Sequence, residues 1–415
     1  MSYSGKLLRR LLVPVLLAAT GTSIVGGPAN GAAAAPADVL SPVRASTAST
    51  PLSAPSPTSA KVSCAAPRSS KFMCLEPARK SAVPRSAAPD VTVNALKPLP
   101  QWCYDVAPGT EMVWYLRTEG CMIFERTLVS YEIINGVRVQ TGWLGIALFS
   151  YTYMSTTSPE WGHQLSVRAT GGQGSALGST VSGTVTPSGS CGLASSTFPS
   201  QALPTPSQGA GADGEGTFTS TATAPGAVGT CSTTWNLTFR RADGAAYTTM
   251  THSLLPVRCD NNTVATDTPG CVLPRYPSQL IYSFSNLPNL GWHVYRAQLS
   301  GLAGAEMDRP LTRTTKQAIQ DLNYSLACGD APSYEGFSCD EYPPKVTYNG
   351  LSAGGTRRTF DSCGYVDIPQ SDDPIGASIC MIPVAEQSAQ GGLHTQFFRR
   401  ERMLDGDPFL IWIDG

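Results

Sequence analysis

Twelve cysteines, an even number spread between Cys64 and Cys380, constrain this chain more than any other feature, because every pair that oxidises fixes two segments side by side. Whether they oxidise depends on the compartment, and the N-terminus bears on that. Lys6, Arg9 and Arg10 flank or precede an apolar run from Leu11 to Ala19, and Ala32 to Ala35 offer small residues for cleavage, the pattern of a secretory signal over residues 1–34. Pro14 interrupts the run, which falls short of the roughly 20 apolar residues of a membrane span. A secreted (extracellular) protein without stable membrane insertion is expected. Exported thiols tend to pair. Proximity along the chain pairs Cys64 with Cys74, Cys103 with Cys121, Cys191 with Cys231, Cys259 with Cys271, Cys328 with Cys339, and Cys363 with Cys380. Zinc is the competing use of these sulfurs, but no C-x-x-C spacing occurs and His163, His252, His293 and His394 are the only imidazoles.

The chain is 415 residues long with 40 Gly and 33 Pro, more than one packed core is expected to hold. Residues 35–99 are rich in Ala, Ser, Pro and Thr and poor in large apolar side chains, so they cannot offset the entropy of ordering and read as a linker or pro-segment. Residues 100–302 carry β signals. Ser130–Ile134, the pair Asn135-Gly136 and Val137–Thr141 predict a hairpin, and Trp235, Leu237 and Phe239 alternate inward before a turn at Asp243-Gly244. Gly171 to Gly229, rich in Gly, Ser, Thr and Pro, reads as long loops and short edge strands. Residues 303–415 change texture. Ala318, Ile319, Leu322 and Leu326 mark one face of a helix, Glu386 to Arg400 predict helix on either side of Gly391-Gly392, and Phe409–Ile413 predict a buried strand. The fold class is therefore α+β: a small α+β C-terminal domain preceded by a disulfide-stapled antiparallel β-rich domain.

Chemistry concentrates in the C-terminal domain. Asp340 and Glu341 stand beside Cys339, and Glu386 with Gln387 follows Pro383. Adjacent residues on a strand point to opposite faces, so one of the acidic pair faces any given site and Glu386 supplies the second acid. Carboxylate and amide oxygens suit a hard divalent cation, Mg2+ or Mn2+. Such an ion polarises a phosphoryl oxygen and activates bound water. On composition alone, a solvated turn before Pro343 remains the competing reading. Arg399, Arg400 and Arg402 form a basic cluster able to grip phosphates, or else a solvated helix face, and His394 is a candidate general base or substrate contact.

Three stretches occur in order: Cys339-Asp340-Glu341-Tyr342-Pro343, then Pro383 to Gly392 with Glu386, Gln387 and Gln390-Gly391-Gly392, then Gly406-Asp407-Pro408-Phe409 before an apolar strand. In this order and spacing, over roughly 308–413, they resemble the NucA/NucB family of secreted bacterial deoxyribonucleases. The resemblance implies metal-dependent hydrolysis of DNA phosphodiesters with little sequence preference. It places Asp340 and Glu386 as metal ligands, Glu341 as base or second ligand and Gln387 as a positioning group; the reading of the residues themselves adds Arg399, Arg400 and His394 as candidate substrate contacts. One departure is Asn349-Gly350, where relatives often carry an acid before a glycine pair.

Charge sets a limit on this reading. The whole chain has a formal charge of −1, and residues 308–414 hold nine Lys and Arg against fifteen Asp and Glu, so DNA must be held locally and with strong salt dependence. The alternative is an exported non-enzymatic cell-surface or glycan-binding protein, in which the β-rich domain contacts cell wall or glycan and the nuclease-like domain is inactive.

Overall fold

Asn135 and Gly136 both take positive φ, 51° and 79°, the mirror-image turn whose twist matches that of its flanking strands. They join Glu119–Ile134 to Val137–Met154 in an antiparallel pair. In the computed structural model, which describes residues 63–64, 70–78, 97–105, 113–203, 211–262 and 268–414, this hairpin is the centre of an eight-stranded sheet. The expected signal and nearly all of the linker lie outside the described residues. The remaining strands of this sheet are Ser63–Cys64, Lys71–Pro77, Val113–Leu116, Glu160–Gly174, Cys191–Thr197 and Ala212–Ser220.

A second, six-stranded sheet is built around Val228–Arg240, which pairs with Thr180–Gly189, Tyr247–Ser253 and Val257–Asp260. Its alternation is strict: Cys231, Thr233, Trp235, Leu237 and Phe239 are buried between half-exposed or exposed neighbours. The two sheets share one core, in which Leu128, Leu144, Leu165, Val167 and Phe218 meet Val181, Val185, Trp235 and Leu237. His163, His252, Ser150 and Thr233 form a buried hydrogen-bonded chain through it. All twelve cysteines are bonded in the six expected pairs.

The Gly- and Ser-rich stretch between 171 and 229 contains paired strands rather than mainly loops. Ala212–Ser220 lies between Glu160–Gly174 and Cys191–Thr197. The glycines mark aromatic packing. A Cβ at Gly214 would lie 2.2 Å from the Phe198 ring, and one at Gly183 would lie 2.8 Å from Phe198 and Leu237. The backbone thins where large side chains cover it.

The C-terminal region mixes helices with two small sheets. Ser278–Ser283 runs parallel to Pro408–Asp414, which also pairs with Leu311–Thr312; Phe337–Tyr342 is antiparallel to Gly376–Pro383, which runs parallel to Thr356–Arg358. Four helices occur among the described residues: α1 (Gln101–Tyr104), α2 (Pro288–Leu299), α3 (Gln317–Cys328) and α4 (Val384–Arg400). Strand 278–283 and α2, which precede the expected boundary at 302/303, contribute Leu280, Tyr282, Leu290, Val294 and Ala297 to the same core as Ile382, Phe397, Phe409 and Ile411. No described helix is long and apolar enough to cross a membrane.

Two helical expectations change. Helix α4 runs unbroken through Gly391 and Gly392. In α3, Leu322 and Leu326 are exposed, and the residues that face inward are Asn323, Ala327 and Cys328. The Asn323 amide donates to the Lys345 and Thr347 carbonyls and accepts from Ser352 N. That polar tether, with the Cys328–Cys339 bridge, sets the rotation of the helix against its apolar stripe.

Candidate active site

Strand 337–342 presents the two adjacent acids to opposite sides, as its two-residue period requires. Asp340 turns toward α2, where His293 Nδ1 lies 2.6 Å from its Oδ2 and His293 Nε2 lies 2.9 Å from Ser378 Oγ. Ser378 sits on the neighbouring strand opposite Tyr342, two positions from the partner of Asp340, and so on the same face. Asp340 Oδ1 is buried without a hydrogen-bond partner.

Glu341 lies on the other face beside the Cys328–Cys339 bridge, with Cys328 Sγ 3.7 Å from its Oε2. A bridged sulfur has no proton to donate, so it excludes water without replacing it. Burial, then the charge of Asp340, raise the Glu341 carboxyl to about 8, against a weaker opposing hydrogen bond from Lys345 N.

Helix α4 begins after Pro383 ends the preceding strand. Both oxygens of Glu386, expected to face an ion, are engaged by α2: Asn289 Nδ2 donates at 2.6 Å and Leu290 N at 2.8 Å. Helix α2 has no side-chain cap from its own N-cap residue, Leu287, and Glu386 supplies one from across the core. A carboxylate there also meets the positive end of the helix dipole. Asn289 and His293 are one turn apart, so Glu386 and Asp340 dock on the same side of α2.

Gln387, Gln390, Gly391, His394, Thr395 and Phe398 form a second stripe of α4, which lines a cavity of about 920 Å3. Opposite them stand Glu341, Lys345, Arg313 and Asp405. Gln387 Oε1 is buried without a partner. His394 Nε2 lies 2.6 Å from the Tyr282 hydroxyl, and burial lowers the imidazole to about 4. Burial, then the charge of Asp340, push the Tyr282 phenol up, while a hydrogen bond from Gln390 opposes them. Tyr282 therefore keeps its proton and donates it to Nε2, which leaves Nδ1 to carry the ring proton of His394. With Nε2 engaged by Tyr282, Nδ1 is the ring nitrogen left for other contacts.

Of the arginine cluster, Arg399 lines the cavity. Arg400 does not; it is bonded to Glu401 and lies over the Phe397 ring. Arg402 is fully buried and reaches the β-rich region, where it binds Asp260 and the Thr156 and Thr268 carbonyls. Asn349 accepts from Thr312 N, which ties its loop to strand 311–312. Asp407 of the third stretch accepts from Arg117, from Arg258 and from Leu404 N.

Sequence reasoning missed Tyr282, Asn289, His293 and Ser378. His293 left one trace: it falls in the stripe Leu290, His293, Val294 and Ala297, all buried, and a histidine in an apolar stripe must find a polar partner.

Residues 309–412, in the C-terminal region, match the family model described as Deoxyribonuclease NucA/NucB. The match contains Asp340, Glu341, Glu386, Gln387 and His394 and stops short of Tyr282, Asn289 and His293. No curated protein matches the chain.

Proposed function

We propose that this protein is a secreted, divalent-metal-dependent deoxyribonuclease that hydrolyses DNA phosphodiester bonds through its C-terminal region with little sequence preference. The observation that carries the reading is the cavity, lined by the matched segment apart from Asn262. Its wall combines a carboxyl group raised to about 8, a neutral imidazole, amide groups and the cations Arg313, Lys345 and Arg399. These are the groups that phosphodiester hydrolysis uses: cations and N–H donors for the phosphate oxygens, and an acid poised near neutral pH to move a proton. Six disulfides accord with an oxidising compartment.

Among the described residues, no three His, Cys, Asp or Glu side chains are grouped so as to hold a metal ion. In kind, the available donors suit a hard cation: Gln387 Oε1, on the cavity wall, and Asp340 Oδ1, behind it on the opposite face of its strand, are each buried oxygens without partners. They would hold Mg2+ or Mn2+. Glu386 would join only by giving up its bonds to α2. When bound, the ion supplies charge neutralisation at the phosphate and a more acidic water. On the protein side, Arg399, Arg313 and His394 orient the phosphate, and Glu341 holds or releases the proton.

Incubating purified protein with supercoiled plasmid in Mg2+ or Mn2+, with and without EDTA, tests the proposal. Nicking that EDTA abolishes is expected. Intact plasmid under every metal condition, with retention on cell-wall glycan, would support the binding-module reading instead.

A further inference from the structure

We propose that His293, which lies outside the matched segment, is a positioning residue of this site: its Nδ1–H holds Oδ2 of Asp340 and thereby reserves Oδ1 for a divalent cation. This inference rests on the nuclease reading and adds a residue to it. Asp340 and His293 are 1% and 0% exposed, so water does not solvate either of them. A carboxylate can only accept, hence His293 donates from Nδ1 to Oδ2, and its Nε2 lies 2.9 Å from the Ser378 hydroxyl. Ser378 thus holds the ring at its other nitrogen, and His293 holds the carboxylate.

What remains is an imbalance. Oδ1 of the same carboxylate has no partner, although a buried anionic oxygen left unpaired is costly. Gln387 Oε1, an uncharged oxygen on the cavity wall, is left in the same state. For the anionic Oδ1, fixed in place through its sister oxygen, a positive ligand balances charge as well as the empty acceptor position.

The surroundings of His293 are also held. Helix α2 is anchored one turn earlier, where Asn289 and Leu290 bind Glu386, and strand 278–283 places Tyr282 on His394. Three residues of the matched segment, Asp340, Glu386 and His394, are each oriented by a residue between 282 and 293. The working site therefore begins near Ser278.

The test uses the full chain with His293→Leu, His293→Asn and Ser378→Ala, reading kcat and KM on duplex DNA and Mn2+ affinity by calorimetry. Asparagine returns an N–H near the Nδ1 position, whereas leucine fills the space without one. Loss of an orienting partner typically costs roughly 10- to 100-fold in metal affinity or activity. His293→Leu is expected to lose that much in both Mn2+ affinity and kcat with KM for DNA little changed, and His293→Asn to recover most of it. Equal losses in the leucine and asparagine variants, or wild-type Mn2+ affinity in His293→Leu, would overturn the assignment. So would failure of the unaltered protein to bind Mn2+. If His293→Leu does not fold, Ser378→Ala decides, with a fall in kcat expected and an unchanged kcat fatal. An unaltered protein that binds Mn2+ but does not cut DNA sinks the nuclease reading separately, since the titrations still report on Asp340.

Discussion

At the scale of single residues, the two acids with the clearest environments differ in what they do. Glu386 accepts two hydrogen bonds from the start of α2, so its removal weakens a helix cap as well as any chemistry. Glu386→Gln keeps an acceptor but loses the charge at the dipole, and we expect a loss of about 1 kcal/mol. An unchanged melting temperature would show that the cap contributes nothing. Glu341 works in the opposite sense. Its carboxyl is raised from 4.5 to about 8, so the folded state favours the protonated form and stability falls as pH rises through that window. Glutamine cannot ionise. In EDTA, Glu341→Gln should therefore gain on the wild type between pH 5 and pH 9, by roughly 2 to 5 kcal/mol at the upper end. A stability difference that stays flat with pH would contradict this burial of charge.

At the scale of elements, α4 forms one wall of the cavity despite two central glycines. A Cβ at Gly392 would meet nothing within 4 Å, and both glycines are exposed. Gly392→Ala should stabilise the protein by about 0.5 to 1 kcal/mol through the unfolded state and helix propensity, seen as a higher denaturant midpoint with unchanged slope. A lower midpoint would mean that the helix needs the glycine for closeness or bending. Helix α3 shows why elements resist reading from pattern alone. Its apolar residues Leu322 and Leu326 face outward because the buried Asn323 satisfies three backbone groups, each costly to leave unpaired.

At the scale of the whole molecule, the β-rich and C-terminal regions are joined by buried charge. Asp407 binds Arg117 and Arg258, while Asp260 binds Arg258 and Arg402, and all five side chains are nearly inaccessible. Burial lowers Arg117 to about 10, with Asp407 opposing, so the arginine stays charged at neutral pH. Asp407→Ala would leave two guanidinium groups facing a void. We expect destabilisation of about 3 to 5 kcal/mol and loss of activity in proportion to unfolding. A variant that melts like the wild type would show that the regions cohere without this network. Asp407, in the third of the stretches that carry the family resemblance, thus serves the joint between regions.

Short-range chemistry was legible in the sequence. Asn135-Gly136 adopts positive φ at low cost, alternation buried Trp235 and Phe239, and cysteines close in sequence met because short loops close readily. The candidate acids Asp340, Glu341 and Glu386 stood out in two local motifs. What only the tertiary structure decided is the partner of each group: Glu386 caps α2, His293 holds Asp340, Tyr282 holds His394, and Asp407 turns to Arg117 and Arg258. A side chain's identity states what it can donate or accept. Which buried donor lies within about 3 Å is set by the packing of elements remote in the chain, and that packing, through burial, also determines which protons are held at neutral pH.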